Sequence, residues 1–71
     1  MTAATFRVVF REIEHDGDLA EAMDEARACP LVGRLAVVER MDESALVEIT
    51  PARPCRAVEL LTALRAAGCL V

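Results

Sequence analysis

Residues 5–31, TFRVVFREIEHDGDLAEAMDEARACPL, decide the fold. The first half alternates. Phe6, Val8 and Phe10 fall on one face of a strand, and Arg7, Val9, Arg11 and Ile13 on the other. The first face is apolar and is predicted to meet helices. The second is half apolar and half basic, a face predicted to be partly covered by a partner. The loop Glu14-His15-Asp16-Gly17-Asp18 follows, with Gly17 offering a backbone conformation of positive φ. Asp18 is predicted to be an N-cap, with Glu21 three residues on as the acidic half of a capping box. The helix then runs from Leu19 to about Ala28. Leu19, Ala22, Met23 and Ala26 form its apolar stripe, and Glu21, Asp24, Glu25 and Arg27 its wet side. Pro30 ends it.

The rest of the chain presents the same packing problem a second time. Gly33 marks a turn, and RLAVVERM from Arg34 to Met41 reads as a second strand. Its apolar residues fall on both faces, which predicts that both are at least partly covered. Asp42, Glu43 and Ser44 form a hairpin turn. ALVEIT from Ala45 to Thr50 is the third strand, with Val47 and Ile49 inward. Pro51 and Pro54 break the chain. Cys55 to Ala67 is the second helix, with Ala57, Leu60, Leu61, Leu64 and Ala67 as its stripe, and Gly68 is placed to end it. Residues 69–71 begin a fourth strand. Residues 1–4, MTAA, carry no pattern and are expected to fray.

This order predicts a single α+β domain over residues 1–71. It is a ferredoxin-like βαββα unit with a short or truncated fourth strand. Two helices pack on one face of an antiparallel sheet of order 4-1-3-2, with right-handed crossovers. The loop at 14–18, the hairpin turn at 42–44 and residues 68–71 then share one end. Cys29 and Cys55 lie at the other. The first strand keeps an exposed edge, which invites pairing with another chain.

Composition narrows the function classes. The net charge is −4, and all eight basic residues are arginine. An acidic chain lacks the positive field that phosphate contact requires, so no nucleic-acid partner is expected. No apolar run approaches the about 20 residues of a membrane span. The N-terminus has no basic region followed by an apolar core, so a cytoplasmic location is expected. Cys29, Cys55 and Cys69 are three cysteines without a CxxC spacing. They read as reduced thiols, neither a disulfide framework nor a metal site. The apolar fraction is 55%, but much of it is alanine and there are only two Phe and no Trp or Tyr. So small a core predicts a homo-oligomer or a larger protein partner.

Phe6 to Ile13 followed by Asp16-Gly17-Asp18-Leu19-Ala20-Glu21 resembles the first strand and loop of ACT domains, small regulatory modules with a Gly-x-Leu where strand turns into helix. Residues 45–49 and 60–68 resemble their last strand–helix pair. These domains often have Pro before the Gly, where this chain has Asp16. The resemblance implies a side-by-side dimer that binds an amino acid or similar effector at its interface, with Gly17 and its neighbours at the ligand. The candidate ligand-binding residues are therefore His15, Asp16, Gly17 and Asp18. Backbone N–H groups at a helix start attract a carboxylate, and acidic side chains suit an ammonium group. Arg34 of a neighbouring subunit is a second candidate for the carboxylate. No metal, cofactor or catalytic residue is assigned. His15, the sole histidine, has no nucleophile paired with it in the sequence.

Two functions follow. The first is a non-catalytic regulatory or protein-interaction module binding a small effector. The second is a small dimeric ferredoxin-like barrel enzyme, or an accessory subunit of a larger enzyme, in which Arg7, Arg11, Glu48 or Thr50 would point from the sheet face. A metal chaperone of this fold would carry a pair of cysteines in the first loop, which holds none.

Overall fold

A computed structural model describes residues 4–71. The expected fraying of residues 1–3 lies outside the described residues. The elements run β1 (Phe6–Arg11), α1 (Asp16–Arg27), β2 (Val32–Arg40), β3 (Ser44–Pro51) and α2 (Ala57–Ala66). Among the described residues they form a three-stranded antiparallel sheet of order β1-β3-β2. This α+β arrangement is compatible with a ferredoxin-like one.

The core follows the period-two and period-3.6 stripes. Phe6 pairs with Ile49, Val8 with Val47 and Phe10 with Ala45, so apolar residues of β1 and β3 share one sheet face. Met23 and Ala26 of α1 and Leu60 and Leu64 of α2 join the same cluster. Ala45, Val47, Ile49, Leu60, Leu64 and Phe10 are all completely withdrawn from water.

The structure moves Ile13 into this core. Alternation along β1 would direct it outward with Val9, but β1 ends at Arg11 and Glu12 adopts φ +59°. That left-handed residue reverses the alternation, at a cost a β-carbon makes appreciable. The Ile13 N–H then donates to the Glu43 carbonyl at 3.0 Å, tying the segment before α1 to the hairpin turn.

The first helix begins one turn earlier than expected. His15 is its N-cap residue, and Asp18 sits at N3 rather than at the cap. The Asp18 carboxylate reaches back to accept from the N–H of Glu14 at 2.9 Å and of His15 at 3.3 Å. Asp18 thus performs the task predicted for Glu21. Gly17 lies inside the first turn, and positive φ falls instead on Glu12 and Gly68. The second helix repeats the device: Arg56 is the N-cap, and its N–H donates to the N3 side chain Glu59 at 3.2 Å.

The end of α2 matches expectation. Gly68 has φ +104°, its N–H bonds the Arg65 carbonyl at 3.1 Å, and the Cys69 N–H bonds the Leu64 carbonyl at 3.0 Å. This is the paired Schellman closure. It also explains why residues 69–71 form no strand. The Cys69 N–H is consumed by the helix and its side chain is buried. The chain reaches β1 only at Leu70, whose carbonyl accepts from the Arg11 N–H at 2.8 Å.

The second strand is not covered on both faces. Only Val32 and Leu35 are half-buried, and every residue from Ala36 to Arg40 is exposed, Val37 at 42% and Val38 at 44%. It is an edge strand with two register shifts. Val38 is the extra residue where Val37 opposes Val47 and Glu39 opposes Leu46, so the apolar run straddles a bulge. Gly33 is the extra residue of the other shift. A β-carbon there would lie 2.9 Å from the Thr50 carbonyl oxygen and 3.2 Å from Ala52 backbone atoms.

Phe10→Ala is expected to cost about 3–5 kcal/mol, since it truncates a side chain completely withdrawn from water. A chain of this size has about 4–10 kcal/mol in total. Chemical denaturation should show most of the stability gone. An unchanged midpoint would place Phe10 outside the core.

Candidate functional site

The segment between β1 and α1, the first turns of α1 and the turn after α2 converge on a cavity of about 170 Å³. Its floor is apolar: Phe10, Ile13, Ala22 and Cys69. Its rim carries four carboxylates, Glu12, Asp18, Glu21 and Glu25, against one guanidinium, Arg11. Each wall has a local cause. Asp18, Glu21 and Glu25 recur at helical spacing on one face of α1. Glu12 is swung there by its left-handed backbone. Gly68 completes the wall because a β-carbon at that position would lie 2.6 Å from the Glu25 Oε2 atom.

Of the four residues proposed from the sequence, the structure brings Asp18 alone to this cavity. His15 is exposed beside it, with Nε2 at 3.4 Å from the Asp18 Oδ1. Asp16 points away and accepts a hydrogen bond from Arg40 Nη1 at 2.8 Å, linking the start of α1 to the end of β2. Gly17 is exposed in the first turn, and a β-carbon there would touch the His15 ring at 3.0 Å. Arg34 belongs to β2 and lines no part of the cavity. Glu12, Glu21, Glu25 and Cys69 were missed. The 18, 21, 25 spacing was legible as one acidic helix face. Nothing in the sequence signals the backbone turn at Glu12.

The electrostatics suit a cation. The Asp18 carboxyl is held below its ordinary value of 3.8, chiefly by the N–H of Glu14. Burial opposes the shift, and the N–H and charge of His15 add to it. The Cys69 thiol is pushed above its ordinary 9.0, first by burial, then by the charges of Glu25 and Cys29. It therefore stays protonated at neutral pH, its Sγ lying 3.8 Å from the Ala22 carbonyl. Among the described residues no group of three or more His, Cys, Asp or Glu is placed to hold a metal ion. The three cysteines are free. No helix among the described residues is long and apolar enough to cross a membrane.

No family model matches the chain, and no curated protein or solved structure matches it either.

The depressed Asp18 pKa makes a signed prediction. A carboxyl that is more acidic when folded adds stability above its unfolded pKa and loses it as pH falls through the folded one. The Asp18 contribution is therefore intact above about pH 4 and lost at lower pH. Asp18→Asn is expected to lower the melting temperature at neutral pH and to flatten the acid limb of the stability profile. Parallel wild-type and variant profiles across that range would show that the carboxylate is not engaged with the helix start.

Proposed function

We propose that this chain is a non-catalytic regulatory or interaction module of ACT-like, ferredoxin-like design. In this reading the acidic cavity binds a small ammonium-bearing effector such as an amino acid. The observation that carries it is the junction itself: an apolar floor ringed by carboxylates, with Arg11 alone on the rim for a ligand carboxylate. The volume is well under the about 300–1,000 Å³ of drug-sized pockets, which suits a metabolite of few heavy atoms. The lining supplies charge and hydrogen-bond acceptors, and its one thiol is kept protonated. That chemistry binds rather than reacts. The ACT-like proposal is shifted in place. The ligand sits behind Asp18, with His15, Asp16 and Gly17 forming the helix start that supports it.

The same module is proposed to work in an assembly, as a homodimer or docked on a larger protein. The outer sheet face supports this, since Val9 and Val38 are each 44% exposed on the strands flanking Leu46. The barrel-enzyme alternative would use that face as well, but there Arg7 is paired with Glu48 at 3.5 Å.

Amide-shift mapping with a panel of amino acids and small diamines tests the effector. Shifts are expected at residues 11–13, 18–25 and 68–70. Glu25→Gln should weaken binding about two- to fivefold. No shift at millimolar ligand would reject the effector reading.

Light scattering tests the assembly. The chain alone is expected to run as a dimer that Val38→Asp dissociates. A monomer at all concentrations with full stability would remove the homodimer.

A further inference from the structure

A second surface lies along the outer edge of β1, independent of the effector reading. The Arg11 N–H points away from β3, because it bonds the Leu70 carbonyl. Two-residue alternation sends the N–H and C=O groups of Val9 and Arg7 to the same side. Among the described residues, Arg11 alone of these finds a backbone partner on that edge. An unpaired strand edge is a template for another strand. Beside it lies an open groove of about 340 Å³ between β1 and α2, its base formed by Phe6, Val8, Ala57, Leu61 and Val71.

The residues facing such a strand define its chemistry. On the helix side they are apolar, with Leu61 and Phe6 half-buried. On the other side, Arg7 and Arg11 flank Val9 along the outer sheet face, and Arg65 of α2 overhangs the groove. Neither Arg11 nor Arg65 is in a salt bridge with a described residue, and Arg7 has only Glu48 at 3.5 Å. A cluster of three arginines on a chain of charge −4 is a local inversion of sign. A second copy fits poorly, because antiparallel pairing of β1 with itself about Val9 sets Arg7 opposite Arg11 twice, and like charges directly opposite are destabilising.

We propose that this edge accepts an extended acidic segment of another protein, added as a strand beside β1. Its residues alternate between carboxylates on the outer sheet face, set against Arg7 and Arg11, and apolar side chains seated on Leu61 and Phe6, while Arg65, which borders the space beside Arg11, adds to the positive field. This is strand addition, in which backbone hydrogen bonds give affinity and alternate side chains give selectivity. The Arg11–Leu70 bond already occupies the first rung, so the partner would begin at Val9 and run toward Phe6.

The probe is a short synthetic peptide alternating glutamate and valine, with its lysine–valine counterpart as control. Amide-shift mapping and hydrogen exchange are read on the whole chain. The acidic peptide is expected to shift β1 and α2, to protect the Arg7 and Val9 amides from exchange, and to lose affinity with added salt. Arg65→Glu, on an exposed position, should weaken it about three- to tenfold. Arg11→Glu combined with Arg65→Glu should make the lysine peptide the better ligand. Equal binding of both peptides by wild type, or binding of neither, would overturn the proposal. So would shifts confined to β2, or Arg7 and Val9 amides already protected in a self-associated free protein. Apart from Arg11, which borders both sites, effector binding at the cavity is read from different amides, so either reading can fail alone.

Discussion

The structure depends on the complete burial of alternate residues of β3. Ala45, Val47 and Ile49 lie on the central strand, under both helices and between two antiparallel ladders. Each inward residue of β1 registers on one of them, and Leu35 and Val37 of β2 register on Ile49 and Val47. The strict period of two makes this a discrete choice, since a slip of one residue would turn the whole set to water. In so small a chain, with alanine at one of the three central positions, bulk must come from the neighbours. Phe10 opposes Ala45 and supplies it.

That constraint shapes the end of the domain where the cavity forms. Ile13 completes the core only if the chain abandons strand geometry immediately after Arg11, and Glu12 takes the left-handed conformation that allows it. The reversal places the Glu12 carboxylate on the rim and brings the Ile13 N–H to Glu43 in the hairpin turn. At the opposite wall Gly68 ends α2 and admits Glu25 at close range. Core packing and cavity construction are thus one event. The carboxylates gather because the apolar residues between them are drawn inward.

Charge is distributed unevenly over this frame. Acidic groups crowd the cavity, whereas Arg7, Arg11 and Arg65 line the groove along β1. Arg11 stands between the two and borders both. Surface ion pairs such as Arg40–Asp16 are each worth little, about 0–1 kcal/mol, so they orient elements more than they hold them. The uneven field matters more for what approaches the domain than for its stability.

Element order, both helix stripes, the hairpin and the Gly68 stop were readable from the sequence, because periodicity and capping act over a few residues of contiguous chain. The same local rules misplaced the first cap by one turn. Asp18 satisfies either end of a capping box, and only the bonds it makes to Glu14 and His15 select N3. The exposure of Val37 and Val38 was hidden, because an apolar run cannot disclose that its strand lies at an edge and bulges. Of the candidate site, the acidic face of α1 was legible in its spacing, and the meeting of Glu12, Glu25, Gly68 and Cys69 was not. Those residues are far apart in the chain. They converge through burial of Ile13 and closure of α2, which are decided by the whole core.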